Sequence, residues 1–278
     1  MLLLRLQNGH RRWGKNKMSD REKILRYYRA SGEDQTAAKL LDAAEWVLRS
    51  RKYKVLDFYD PYGYSIAETV AAHFGQIEIL SSGGYSGAER QRVAFIHPEF
   101  RGQADFMLAA LQFSWDARYY HLGHRDVLGA VLGLGIKREL IGDIMMLGDR
   151  AQMVVDTSIA QYVQANITQI GAAAITAEFI ELSEIAPREE KVKEIKTTVA
   201  SLRLDVIAAA GFGVSRSKMA DEIAADKIKV NWQQVKSSSQ TLKQGDVISM
   251  RGRGRVEVYE VVGQTKKGRT SIFLKRFI

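Results

Sequence analysis

The stretch that most constrains this 278-residue chain is 202–262, where the apolar pattern switches from helical to alternating spacing within a few dozen residues. Leu202 to Ala210 carries helical spacing and runs into Gly211, Phe212 and Gly213, a helix-stop signal. Ser215 then offers an N-cap for a second helix over 216–225, held inward by Met219 and Ile223. A short strand follows at 228–230, a turn at Asn231 and Trp232, and a return segment through Val235. Gly245 and Asp246 make a turn before a strand at 247–250. Segments 256–262 and 271–277 finish a small sheet, joined by the basic turn Lys266, Lys267, Gly268 and Arg269. Two short helices and a small sheet within 79 residues predict a compact α+β unit at 200–278.

Charge sets this unit apart. The chain is +9 overall, with 41 basic and 32 acidic residues. Residues 200–278 hold 15 basic and 7 acidic residues, 18–199 hold 21 and 25, and 1–17 hold five basic and none acidic. A localised basic excess predicts a polyanionic partner. The second helix presents a capped N-terminus, where unpaired N–H groups favour an anion, with Arg216 and Lys218 in its first turn. Lys227 and Lys229 flank the apolar Ile228, and Arg251, Arg253 and Arg255 sit among glycines that leave the backbone open. Asn231, Trp232 and Lys236 follow on the turn and its return; Arg203 and Asp205 begin the first helix. Such a set predicts salt-dependent contact with RNA phosphates, dominated by shape.

What is missing narrows the chemistry. With no cysteine, a disulfide scaffold, thiol catalysis, iron–sulfur ligation and thiolate zinc sites are excluded. Five scattered histidines predict no metal centre, and nothing implies a cofactor. No apolar run reaches the length of a membrane span.

Residues 1–17 open with an apolar run too short for a signal peptide, followed instead of preceded by positive charge. They are expected to be a disordered leader, with Met18 as an alternative start; a basic RNA-touching arm or a targeting segment is the other reading. Residues 18–54 predict a helical hairpin, one helix capped by Ser19 or Asp20 and a second over 34–50. Residues 55–182 predict one α+β domain, with strands at 55–59, 77–80, 92–96, 106–113, 143–147, 152–155 and 174–182 and helices at 65–74, 124–134 and 158–170. Residues 183–199, charged and holding one of three prolines, read as a linker.

The run RLDVIAAAGFGVSRSKMADEIAADKIKVNWQQV, followed by LKQGDVISMRG, resembles the RNA-binding domain typified by small-subunit ribosomal protein S-four. One departure is Asp226, where that family usually has glycine; Asp tolerates a left-handed cap. The family pattern points most strongly to Arg203, Arg216 and Lys229. Two further motifs, GGYSGAERQRVAFIHPE at 83–99 and YYHLGHRDVLGAVLGLGIKRELIGDI at 119–144, make nearly the whole chain similar to the YlmH family, which joins an RRM-like half to an S-four-type domain. The resemblance implies binding of rRNA on the large ribosomal subunit carrying obstructed peptidyl-tRNA, in ribosome-associated quality control, by a monomer in the cytoplasm. The stretch FYDPYGYSIAETVAAHFG at 58–75 leans toward a branch from oxygenic phototrophs, the photosystem II S-four domain proteins. In the body, Glu89, Arg90, Arg92, Arg125 and Asp126 are candidate contacts to RNA or tRNA, while Gly129, Gly133 and Gly135 predict tight helix–sheet packing.

Three enzyme signatures are imitated without their context. His121-Leu122-Gly123-His124 resembles the nucleotide-gripping motif of class I synthetases but precedes a glycine-rich helix, and the partner lysine loop is missing. Arg203-Leu204-Asp205 resembles the catalytic triplet of pseudouridine synthases, whose catalytic domain follows the RNA module; here only 73 residues follow, all used by the module. Neither a methyltransferase glycine turn nor a phosphate loop is present. The expectation is a non-enzymatic RNA-binding protein, acting in ribosome-associated quality control or in translation-linked photosystem II biogenesis, with a divergent pseudouridine-synthase-like RNA-modifying enzyme as the alternative.

Overall fold

The computed structural model describes residues 20–186, 192–235, 237–266 and 268–277. Its elements fall into three successive units, each built on an antiparallel sheet.

The first unit contains α1 (Asp20–Arg29), α2 (Asp34–Ser50), β1 (Tyr53–Tyr59), α3 (Pro61–Phe74), β2 (Glu78–Ser82) and β3 (Gln91–Ile96), with sheet order β1-β3-β2. Local chemistry sets its boundaries. Asp60 accepts a hydrogen bond from the Gly63 N–H at 2.9 Å and Pro61 opens α3, which stops at left-handed Gly75. Leu40, Leu41 and Val47 of α2 share one core with Ile66 and Val70 of α3 and Phe95 of β3. The helices expected as a separate hairpin at 18–54 therefore belong to this unit, because their apolar stripe is the cover of its sheet.

The second unit runs β4 (Leu108–Ser114), α4 (His124–Gly133), β5 (Ile141–Met146), β6 (Arg150–Asp156), α5 (Thr157–Asn166), the minor hairpin β7 (Gln169–Ile170) and β8 (Ala173–Ala174), and β9 (Thr176–Ile180). Its sheet order, β5-β6-β4-β9, with one helix after the first strand and one after the third, is the βαββαβ arrangement. Asp156 caps α5 by accepting from the Ser158 N–H at 2.8 Å. Leu111, Phe113, Met153 and Val155 face the helices. The region 55–182, expected as one domain, thus holds two main sheets besides the β7–β8 hairpin; β1 to β3 pair only among themselves.

The third unit is a six-stranded sheet, β10-β15-β14-β13-β11-β12, carrying two helices on one face. Its parts are β10 (Val192–Val199), α6 (Leu204–Phe212), α7 (Arg216–Ala224), β11 (Ile228–Val230), β12 (Gln233–Gln234), β13 (Val247–Met250), β14 (Gly254–Gln264) and β15 (Thr270–Phe277). Leu204, Ile207, Phe212 and Met219 from the helices meet Ile228, Ile248, Val256 and Leu274 from the sheet. Each such side chain contributes roughly 1.5–3 kcal/mol by leaving water. Gly211 lies inside α6, not beyond it: a Cβ there would come within 2.6 Å of Val256, so the missing side chain lets the helix press onto β14. Asp226 adopts a left-handed φ of 55° after α7, as its tolerance for that region allows.

The linker expected at 183–199 is a strand over its second half. β10 pairs with β15 in unbroken register from Val192 to Val199. Its charge misled because it is an edge strand: Ile195 and Val199 turn inward while its lysines and glutamate stay in water. The leader at 1–17 and Ser19 lie outside the described residues.

Candidate nucleic-acid interface

The basic residues of the third unit form two neighbouring groups. The first is centred on a carboxylate. Asp205, only 5% exposed at the start of α6, accepts from Arg203 Nε at 3.0 Å and Nη2 at 3.3 Å, and from Arg216 Nη2 at 2.8 Å. Burial works against its charge, but the bonds from Arg203 and Arg216 outweigh it and hold the carboxyl below the usual carboxylate range. The two guanidiniums remain open, with side chains 40% and 59% exposed. Asp205 is thus no RNA contact. It is the post that fixes two arginines from different helices side by side, with one positive charge to spare.

The second group surrounds Glu222 of α7. Lys227 ion-pairs with it at 2.7 Å, and Lys227, Lys218 and Arg253 all draw its carboxyl below the ordinary value. Arg251 and Arg253 lie in the turn between β13 and β14, tied to this place by the Arg251 N–H, which donates to the Lys227 carbonyl at 3.0 Å. Arg125, in the first turn of α4, reaches the same turn: its Nη2 lies 3.9 Å from where a Cβ on Gly252 would stand. Lys218, Lys227, Arg251, Arg253 and Arg125 are all exposed. Ser215 caps α7 by accepting from the Lys218 N–H at 3.2 Å, so the helix N-terminus opens beside Arg216. Lys229 is exposed on β11 between the buried Ile228 and Val230.

Other candidates have different work. Asn231 is structural: its amide donates to Asp246 Oδ1 and accepts from the Val247 N–H, both at 2.9 Å. It and Trp232 occupy left-handed positions in a two-residue turn, a place Asn fills readily. Trp232 donates its indole N–H to Glu89 Oε1 at 3.1 Å, and Arg255 Nη1 meets Glu89 Oε2 at 2.6 Å. Glu89 therefore clasps the third unit, with both carboxylate oxygens engaged there. Asp126 caps α4 by accepting from the Gly123 N–H at 2.8 Å. Lys236 lies outside the described residues.

Arg90 and Arg92 are not surface contacts. Arg90 donates to the carbonyls of Ile141 and Phe58, riveting β1 to β5, and burial lowers its pKa. Arg92, 5% exposed, pairs with Asp156 at 2.5 Å and donates to the Leu56 and Phe106 carbonyls. Sequence reasoning missed their partners. Asp143 accepts from the Tyr85 hydroxyl and from the Glu89 and Arg90 N–H groups, so the motif at 83–99 lies along the seam between units. The glycines of α4 were expected to permit close packing, but a Cβ at Gly129 or Gly133 would meet nothing within 4 Å. Gly135 is needed instead for its φ of +81°.

The second unit's sheet has its helix-free face covered. Ala110 and Val154 on that face pack with Phe58 of β1 and with Ile185. Gln112 and Gln152 are bonded to each other there, and Gln152 donates to the Glu184 carbonyl. RRM domains read RNA from aromatic residues on the corresponding open face. Here that face is an internal joint.

Family models match all three units in order: "YlmH, N-terminal" over 32–100, "Putative RNA-binding domain in YlmH" over 102–184, and "S4 domain" over 202–248. The chain is also 34% identical over 239 residues to "Ribosome-associated protein quality control protein P2" of Bacillus subtilis (strain 168), covering 84% of this chain and 92% of that one. This chain belongs to the YlmH family. Among solved structures, "Cell division protein ylmH from Streptococcus pneumoniae" matches with a TM-score of 0.50 at 21% identity, covering 56% of this chain and 95% of that one, a likeness of fold. The YlmH chain described here joins an α+β body to a C-terminal S4 domain whose exposed basic groups are arranged for an anionic ligand. Among its described residues no helix is long and apolar enough to cross a membrane, and no group of three or more His, Asp or Glu gathers to hold a metal.

Proposed function

We propose that this protein binds rRNA on the large ribosomal subunit through its S4 domain and acts, without catalysis, in ribosome-associated quality control. The observation that carries this reading is the Arg203–Asp205–Arg216 group beside the open N-terminus of α7. A buried carboxylate holds two half-exposed guanidiniums at fixed spacing, which suits bidentate contact with successive phosphates. Lys218, Lys227, Arg251 and Arg253 extend the positive surface, and Arg125 carries it onto the second unit. The Bacillus subtilis relative's name supports placing the RNA on the ribosome. The body, with its RRM-like face covered, would reach peptidyl-tRNA only through exposed residues such as Arg125. The protein would act as a cytoplasmic monomer.

The non-catalytic reading has support in the same group. In a pseudouridine synthase the aspartate of the Arg-Leu-Asp triplet must reach a base; Asp205 is nearly buried and its oxygens are taken by arginines. Purified protein should co-sediment with large ribosomal subunits, and binding should weaken steeply with salt. The double variant Arg216→Glu, Lys229→Glu should abolish it. Unchanged sedimentation would sink the assignment, and a modified nucleotide lost from the RNA of a deletion strain would favour the enzyme.

A further inference from the structure

A cleft of about 510 Å³ lies between α1, α3 and β12, where the first unit meets the S4 domain. Its volume is within the range of small-ligand sites. Its walls are aromatic and neutral. Tyr28 is buried and forms one wall; Tyr27 stands edge-on to it, ring centroids 4.9 Å apart, and is 75% exposed. Tyr62 is held by its hydroxyl, which donates to Ser31 Oγ at 3.1 Å. The exposed amides of Gln233 and Gln234 form the opposite rim; Gln234 donates to the Ile228 carbonyl, which fixes its orientation and leaves its oxygen to accept. None of the described residues lining the cleft carries a charge.

Aromatic rings with neutral donors and acceptors are the chemistry that recognises an unstacked base, not a phosphate. The phosphate needs a cation, and Lys229 neighbours the rim residue Gln234. Lys229 faces Gln234 directly across the β11–β12 pair, so the two share one face of the sheet. The cleft's far rim is set by the same short hairpin that Glu89 clasps at Trp232.

We propose that this cleft takes a single unpaired RNA base, stacked on Tyr27 and hydrogen-bonded by Gln233, with its phosphate at Lys229. The site deepens the RNA-binding reading, since it would give a mainly phosphate-gripping protein a preference for RNA with an extruded nucleotide. A proline-rich peptide is the competing occupant of a tyrosine-lined cleft; the amide rim and the lysine favour the base.

The test uses the full chain and two RNA hairpins, one fully paired and one with a single bulged 2-aminopurine. Stacking of one base is worth about 1–3 kcal/mol, so the bulged hairpin should bind roughly 5- to 150-fold more tightly and its fluorescence should be quenched. Tyr27→Ala and Gln233→Ala should remove the preference and the quenching while leaving affinity for the paired hairpin unchanged. Equal affinity for the two hairpins, or quenching that survives Tyr27→Ala, overturns the proposal. If neither hairpin binds, the RNA grip has failed, and the cleft is judged alone by titrating 2-aminopurine riboside: resonance shifts at Tyr27 and Tyr62 support it and their absence overturns it. A decaproline peptide that shifts Tyr27 where the riboside does not also overturns it.

Discussion

Replacing Asp205 with Asn tests whether a buried charge organises the arginine pair. The wild-type carboxylate accepts three guanidinium hydrogen bonds between 2.8 and 3.3 Å. Bonds to charged groups are worth about 1.5–3 kcal/mol each when shielded. Both arginines are partly in water, which replaces much of what each loses, and an Asn oxygen still accepts one bond. The net cost should be about 2 kcal/mol, near the α6–α7 corner. Hydrogen exchange of α6 and α7 amides in the full-length chain measures that local opening. The pH dependence adds a sign. The folded carboxyl is depressed, so its stabilisation is fully present above the unfolded value of about 3.9 and is lost as pH falls through the folded value. The gap between wild type and variant should therefore be full at pH 7 and close toward zero as the solution is acidified. A variant within about 0.5 kcal/mol of wild type at pH 7, or a gap that persists in strong acid, would refute the reasoning.

Arg92→Ala should cost about 3–5 kcal/mol in urea unfolding, because it leaves the buried Asp156 carboxylate without its cation; Arg92→Met with Asp156→Asn, which keeps the acceptor that caps α5, should cost less than the single change. Gly211→Ala should destabilise by about 1–3 kcal/mol and lower the melting temperature, since the added methyl meets Val256; the gap should shrink when Val256 is also cut to Ala. Glu89→Gln should loosen the S4 domain from the body, and a double-mutant cycle with Arg255→Met should show a coupling of about 1–2 kcal/mol. Lys218→Glu should weaken RNA binding uniformly across sequences, checked by affinity for unrelated hairpins.

The S4 unit was the most legible because its signals are local. Ser215 before an apolar pair and Asp226 at a helix end each act within a few residues, and the helices at 204–212 and 216–224 follow. Strands of the body were also readable from their apolar runs, yet the grouping of those strands was not. Pairing of β1 with β3 and of β4 with β6 is decided by contacts 32 to 48 residues apart, which no local pattern reports. The same limit misassigned the charged residues. Arg92 sits in the run QRVAFI, and a charge within an apolar strand is a signal of burial; its partner, Asp156, ends the equally apolar MVVD. Asn231 could be placed in a turn, but its bond to Asp246 depends on the sheet. Nothing in the sequence near Glu89 pointed to Arg255, 166 residues away. The cleft between Tyr27, Tyr62 and Gln233 draws on three distant segments and was invisible for the same reason.

The central claim, that Arg203 and Arg216 grip RNA phosphates from a fixed mount, is tested most directly by the salt dependence of binding to purified large ribosomal subunits. Log affinity should fall linearly with log salt in wild type. Arg216→Met should make the slope shallower by about one, as for a single lost phosphate contact, and Arg203→Met with Arg216→Met by about two. Slopes identical to wild type in both variants would contradict the account.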